Sequence, residues 1–278
     1  MLTYQDFEKA DDKVGFISRA ISAHQSSEAY RLALIADDYD AQRNTTIYNV
    51  ARTIFTADGV EVDDFTATNS KIASNFFNRL NTQRCMYSLG NGISFVDPWE
   101  GSKGEPDRTK ERLGKHFDHT LREAAYYALI HGMSYLMWNM DKVIMFKMTE
   151  FVALDDENDG SLRAGIRFWR LDENKPLNAV LYERDGYTRY RTDGAGSNLT
   201  VVGEKRAYVM HYRYTDAGDV FDTHEENYNS IPVVRMYGSR LKQSTLVGMR
   251  EAIDAYDLIN SGFANDIQDC AQVYWLVE

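Results

Sequence analysis

Two clusters in this sequence have residue types and spacings that could do chemistry. His116, His119 and Glu123 form H-x-x-H-x-x-x-E on a stretch of helical periodicity, a spacing that can set three metal ligands on one side of a helix. Zinc-binding helices commonly space their histidines by four, and no cysteine lies nearby, so solvated or interface side chains are the better reading. Asp155, Glu157, Asp159 and Gly160 imitate the opening of a calcium loop, but Ile166 stands where the bidentate carboxylate belongs. An acidic hairpin turn accounts for them. No nucleophile elbow, Walker-type loop or dinucleotide fingerprint occurs. Gly90-Asn91-Gly92 lacks a following Gly-Lys-Ser/Thr and reads as a helix C-cap and turn into a short strand, ISFV. Carboxylates are numerous, so counting does not exclude a glycosidase-like pair, yet most charged side chains are solvated. The expectation is a chain that is not an enzyme, with no cofactor and no metal site.

Composition narrows the class further. At 278 residues, 44% of them hydrophobic, the chain can bury one large core or two modest ones. A net charge of −11 argues against a continuous basic surface that grips nucleic acid, but not against a protein that surrounds DNA without gripping it. Cys85 and Cys270 are the only cysteines, far apart and on helical stretches, which makes a disulfide framework improbable. The first residues, MLTYQDFEKADDKV, are acidic where a secretion signal needs a basic and then an apolar segment, and no window has the length of a membrane span. The reading is a cytosolic protein without membrane contact, in which the sequons at Asn44 and Asn198 carry no meaning.

The elements that must position these residues follow from periodicity. Residues 4–41 predict two helices divided near Gln25-Ser26-Ser27, with Ser27 capping the second. Residues 47–55 are mixed in pattern, and Ala57-Asp58-Gly59 is a turn signal. A helix is predicted over residues 70–89, with Ile72, Phe76, Phe77, Leu80, Cys85 and Leu89 at helical spacing, and another from about Thr109 to Ile130, broken by His131-Gly132. The loop DPWEGSKGEPDRT precedes the latter. Beyond Gly132, short β-rich runs separated by Asp159-Gly160, Asp185-Gly186 and Asp193-Gly194 indicate an antiparallel meander. Ile231-Pro232-Val233-Val234 closes it, with Pro232 favouring an edge or a strand start. The fold class is α+β: N-terminal helices, an antiparallel β-rich body and a long C-terminal amphipathic helix.

That last helix organises the chain. From Thr245, expected as its N-cap, to Glu278, apolar residues fall at Met249, Ile253, Tyr256, Ile259, Phe263, Ile267, Cys270 and Tyr274, in steps of three or four. The other side carries Glu251, Asp254, Asp257, Asp266 and Asp269, with Arg250 as the lone cation. A nearly pure acidic stripe is therefore expected to face away from the helix-packing residues Met249, Ile253, Tyr256, Ile259, Phe263 and Ile267. Small residues such as Ala252, Ala255, Gly262 and Ala264 would let neighbouring helices approach, with Gly262 costing about 1 kcal/mol relative to alanine. At about 1.5 Å per residue, such a helix would project beyond a small domain. The apolar end WLVE reads as a chain whose next part is missing.

Taken together, these stretches resemble the portal proteins of tailed bacteriophages, in the family typified by siphophages of Gram-positive hosts. The segment IPVVRMYGSRLKQSTLVGMREAIDAYDLINSGFANDIQDC carries the match, through Ile253-Asp254-Ala255-Tyr256-Asp257 and Ala264-Asn265-Asp266-Ile267-Gln268-Asp269. His131-Gly132-Met133-Ser134-Tyr135 resembles the family's opening of the wing sheet. Gly90-Asn91-Gly92 and Met236-Tyr237-Gly238-Ser239 depart from it. The resemblance implies that residues 1–244 are a wing-like α+β domain and 245–278 the start of the stem, with clip, second stem helix, tunnel loop and crown absent from this chain.

It further implies a homo-oligomeric ring, a dodecamer, at the portal vertex of the virion, assembled in the host cytoplasm. Double-stranded DNA would pass through it during packaging and ejection. Terminase large subunit, major capsid or scaffolding protein and head-tail adaptor would be its partners. Physical chemistry supports the channel: each Lys or Arg on a phosphate adds affinity through counterion release, so a wall of Glu251, Asp254, Asp257, Asp266 and Asp269 would leave the duplex mobile. The alternatives are an oligomeric scaffold without a DNA conduit and a carboxylate-dependent hydrolase.

Overall fold

The computed structural model describes residues 2–96, 105–194, 198–214 and 220–270; Tyr274, the WLVE end and the loop positions 97–104 lie outside them. Three helices open the chain where two were expected: α1 (Tyr4–Lys9), α2 (Lys13–Gln25) and α3 (Glu28–Asp40). Thr3 and Asp6 form a capping box that starts the extra turn, Asp12 caps α2, and Ser27 caps α3 by accepting from the Tyr30 N–H at 3.2 Å. A 3-10 turn (Thr46–Asn49) leads to a hairpin of β1 (Thr53–Phe55) and β2 (Glu61–Asp63), folded around the Ala57-Asp58-Gly59 turn.

The next helix, α4 (Phe76–Leu89), begins six residues later than periodicity predicts. The N–H groups of Ser70, Ile72 and Ser74 are committed to side chains of the last helix, so those residues stay extended. The ISFV stretch is not a strand: the Ile93 N–H donates to Asp118 and its carbonyl accepts from Lys110, which leaves no ladder to join. The single helix expected from Thr109 is two, α5 (Glu105–Arg112) and α6 (Phe117–His131), because Gly114 between them is left-handed at φ +92°.

Helix α6 ends at the predicted His131-Gly132 break. Gly132 has φ +89°, and a Cβ there would lie 2.7 Å from the Gln243 backbone. Then come β3 (Met133–Trp138), β4 (Val143–Lys147), β5 (Phe151–Asp155), β6 (Leu162–Trp169), β7 (Asn178–Glu183), β8 (Gly186–Thr192), β9 (Leu199–Val201), β10 (Val209–Tyr214), β11 (Val220–Glu226) and β12 (Val233–Tyr237). Strands β5 to β9 form the expected antiparallel meander in sequence order, β12-β3-β4 a second sheet with β12 at its edge just after Pro232, and β10-β11 a separate ribbon.

Alternation along the meander divides the core in two. One face, with Val152, Leu154, Ile166, Phe168 and Leu181, takes Phe16, Ile17, Ala20 and Ile21 of α2. The other, with Phe151, Val180 and Tyr182, packs on Tyr135, Met137 and Phe146 of the three-stranded sheet. A third cluster, of Ala36, Tyr39, Phe77, Ile130, Leu246 and Ile253, joins α3, α4 and α6 to the root of the last helix.

That helix, α7 (Arg250–Cys270), starts later than Thr245. Ser244, not Thr245, is the capping residue, and it caps a separate 3-10 turn (Thr245–Gly248) ending where Met249 leaves helical geometry at φ −123°. Among the described residues no helix is long and apolar enough to cross a membrane.

Candidate functional site

Helix α7 turns its polar stripe inward. Its buried residues are Ile253, Asp257, Ser261 and Asn265, one per turn on a single face. Against that face runs an extended segment of the chain, residues 68–74. The Ser74 N–H donates to Asp257 Oδ1 at 2.9 Å, the Ile72 N–H to Ser261 Oγ at 2.9 Å, and the Ser70 N–H to Asn265 Oδ1 at 2.6 Å. The two repeats match. Four helical residues advance about 6.0 Å and two extended residues about 6.6 Å, so every second N–H meets the next turn of the helix. A strand-like segment that has no sheet to join thus finds its acceptors on a helix.

Both ends of this ladder are reinforced. At the far end Asp269 accepts from Thr68 Oγ1 at 2.5 Å and pairs with Arg52 Nη1 at 2.9 Å, while Ser70 Oγ reaches Gln268 at 3.1 Å. The Thr68 hydroxyl first, and then Arg52, hold the Asp269 carboxyl below the usual carboxylate range. At the near end Asp254 accepts from the hydroxyls of Tyr39 and Thr46, and Arg250 sits 3.7 Å from the same carboxylate. Asp257 is 1% exposed, and its Oδ2 and the Ser74 hydroxyl are buried without a hydrogen-bond partner among the described residues.

The acidic candidates therefore separate into two sets. Asp254, Asp257 and Asp269 hold α7 onto its own chain, whereas Glu251 and Asp266 are exposed. The packing candidates separate too. Ile253 is buried and Met249 packs beside it in the third core cluster, while Tyr256, Ile259, Phe263 and Ile267 face outward, with Ile259 72% and Phe263 65% exposed. Tyr256 is steadied by Phe76, edge to face at 4.9 Å. The exposed side of α7 is thus an apolar stripe with Asp266 at its edge, and Glu251 is exposed near the start of the helix. Beside its C-terminal end stands the β1-β2 hairpin, since Arg52 and Thr68 on either side of it both hold Asp269. The hairpin leaves Phe55 largely exposed, and Phe65 just after it is exposed too.

Sequence reasoning missed Ser261, Asn265 and the 68–74 segment. Their signal was present in the four-residue spacing of Asp257, Ser261 and Asn265, three hydrogen-bonding side chains in register.

The other constellations have structural partners. His116 is the N-terminal flanking residue of α6, and His119 and Glu123 line an open surface hollow with Cys85 and Tyr126. Among the described residues no group of three or more His, Cys, Asp and Glu is placed to hold a metal ion. In the β5-β6 turn Asp156 accepts from the Asn158 N–H, Gln5 and Arg163, and Asp159 accepts from the Ser161 N–H, so those carboxylates fasten an acidic hairpin.

An α+β body thus clamps a helix by its polar side and presents the apolar side outward. The family model described as phage portal protein, SPP1 Gp6-like, matches residues 19–278, and the chain belongs to that family. A 56-residue stretch, 20% of this chain, is 38% identical to the portal protein of Clostridium phage phiCD119 and spans 12% of that protein's length. Membership places the chain among the structural proteins of the phage capsid.

Proposed function

We propose that this chain is one subunit of a homo-oligomeric ring, a dodecamer by family analogy, through which double-stranded DNA passes during packaging and ejection. The observation that carries the reading is the outward apolar stripe of α7. Among the described residues Ile259, Phe263 and Ile267 stay more than half exposed and Tyr256 is covered only in part, by Phe76, and full burial of each against a neighbour would contribute up to roughly 1.5–3 kcal/mol. A closed ring needs two different complementary surfaces on each subunit. The β1-β2 hairpin, whose strands are exposed throughout, is a candidate for the second.

Glu251, exposed near the start of α7, and Asp266, exposed at the edge of the stripe, are the carboxylates proposed to face the duplex. Like-charge repulsion there removes the counterion-release affinity that a basic wall would have and leaves DNA free to move. In this reading Asp254, Asp257 and Asp269 fix the tilt of α7 rather than touch DNA. Terminase large subunit would supply the energy of packaging, scaffolding or major capsid protein would surround the ring, and a head-tail adaptor would dock below it.

The test is negative-stain microscopy with mass analysis of the chain, beside a variant carrying Ile259→Glu and Phe263→Glu. Rings with a central hole that disappear in the variant are expected. A wild-type chain that stays monomeric at high concentration, or a variant that still closes rings, sinks the proposal. Packaging assays on Glu251→Lys with Asp266→Lys address the channel separately; unchanged packaging would move both residues off its wall.

A further inference from the structure

Outside α7, the face of the meander that meets the three-stranded sheet is only partly covered, and its open part is basic and aromatic. Arg167 pairs across to Val180 and Val180 to Arg189, while Trp169 pairs to Asn178 and Asn178 to Arg191. Alternation puts all six side chains on one face, with Tyr182 and Tyr187 in the adjoining row. Arg189 and Arg191 are about 7 Å apart along their strand, and Arg167 lies two strand spacings, about 9.6 Å, from Arg189. They line a cleft of about 470 Å³, which Asn139 and Tyr208 help to close.

Three features suit the cleft to an anion. Among the described residues no Asp or Glu lines it, although the chain carries 42 such residues against 31 Lys and Arg. None of the three arginines makes an ion pair among the described residues, whereas Arg52, Arg163 and Arg235 each hold a carboxylate. Arg167 is moreover fixed in place. Its guanidinium lies 4.4 Å over the Phe146 ring and 4.6 Å over Trp169, and its buried Nε has no partner. Three guanidinium groups on one face, with no carboxylate beside them among the described residues, suit an oxyanion ligand.

We propose that this cleft binds a nucleotide unit, either free or within a single strand of nucleic acid. The phosphate sits on Arg189 and Arg191, and the base lies against the Trp169 and Tyr187 walls within reach of the Asn139 and Asn178 amides. Aromatic walls with amide edges favour a planar base, where an acidic peptide would need only the charges. The site is independent of α7 and of the ring reading.

The test titrates the full chain by fluorescence anisotropy with a labelled short oligothymidylate, competing it with thymidine monophosphate, inorganic phosphate and a polyglutamate peptide, at about 50 mM and 200 mM salt. Binding of the oligonucleotide that weakens with salt, and falls about tenfold or more in Arg189→Gln with Arg191→Gln, is expected. Both positions are exposed, so circular dichroism and thermal midpoint should not change. Competition by the monophosphate as strong as by unlabelled strand assigns the free nucleotide; a much stronger strand assigns nucleic acid. Absence of binding, equal binding by the double variant, or stronger competition by polyglutamate than by either nucleotide form overturns the proposal.

Discussion

Helices α2 and α7 are both amphipathic and bury opposite sides of themselves. Helix α2 sets Phe16, Ile17, Ala20 and Ile21 into the meander and leaves Arg19 exposed, so its apolar surface is satisfied within one chain. Helix α7 sets Asp257, Ser261 and Asn265 against residues 68–74 and leaves Ile259, Phe263 and Ile267 outside. Burying these side chains is tolerable because one oxygen of each meets a backbone N–H that would otherwise lack an acceptor. The contrast separates two roles: α2 completes a domain, and α7 leaves an apolar stripe exposed among the described residues, which the proposed ring would cover.

The contrast can be broken at several points, beginning with the largest effect. Phe16→Ala should cost about 3–5 kcal/mol in urea denaturation, through lost transfer energy and the cavity left in the first core. A loss below about 1 kcal/mol would mean that α2 is not what completes the domain. Asp257→Ala should cost about 1–3 kcal/mol, because the Ser74 N–H then lacks an acceptor in a buried setting. It should also raise amide exchange at residues 70–74; protection that persists there would refute the ladder.

Phe263→Glu should change the stability of the isolated subunit by no more than about 0.5 kcal/mol, as expected of an exposed position, while impairing assembly. A large loss in the monomer would show that the stripe already has an intramolecular partner. The smallest effect concerns pH. The folded value of Asp269 is depressed, so its contribution is fully present above the unfolded carboxylate value, about 3.9, and is lost as pH falls through the folded value. A carboxyl NMR titration should place the Asp269 midpoint below the ordinary range and return it upward in Thr68→Val. An unmoved midpoint would take the hydroxyl out of the clamp.

Much of the body was legible because its signals are local. Ser27 before an apolar-periodic run, His131-Gly132 at a helix end and the Asp-Gly turns each encode a backbone decision within a few residues. The α+β class and the resemblance to portal proteins followed from such stretches read in order; the helices and antiparallel sheets of the structure bear out the first, and the family match the second. The errors came where distant groups compete for the backbone. Residues 70–75 have helical periodicity, but their N–H groups are taken by α7, about 190 residues further on. ISFV has strand composition, but Asp118 and Lys110 occupy its Ile93 polar groups first.

By itself the sequence determined that α7 exists and that it has one apolar and one acidic side, since a period of 3.6 residues sorts side chains whatever surrounds them. Which side turns inward was decided only by the tertiary structure. The choice depends on whether an extended segment with spare N–H donors lies alongside in the right register. Here residues 68–74 do, and three of the five carboxylates expected to face outward are instead bound to the chain's own Ser74, Thr46 and Thr68.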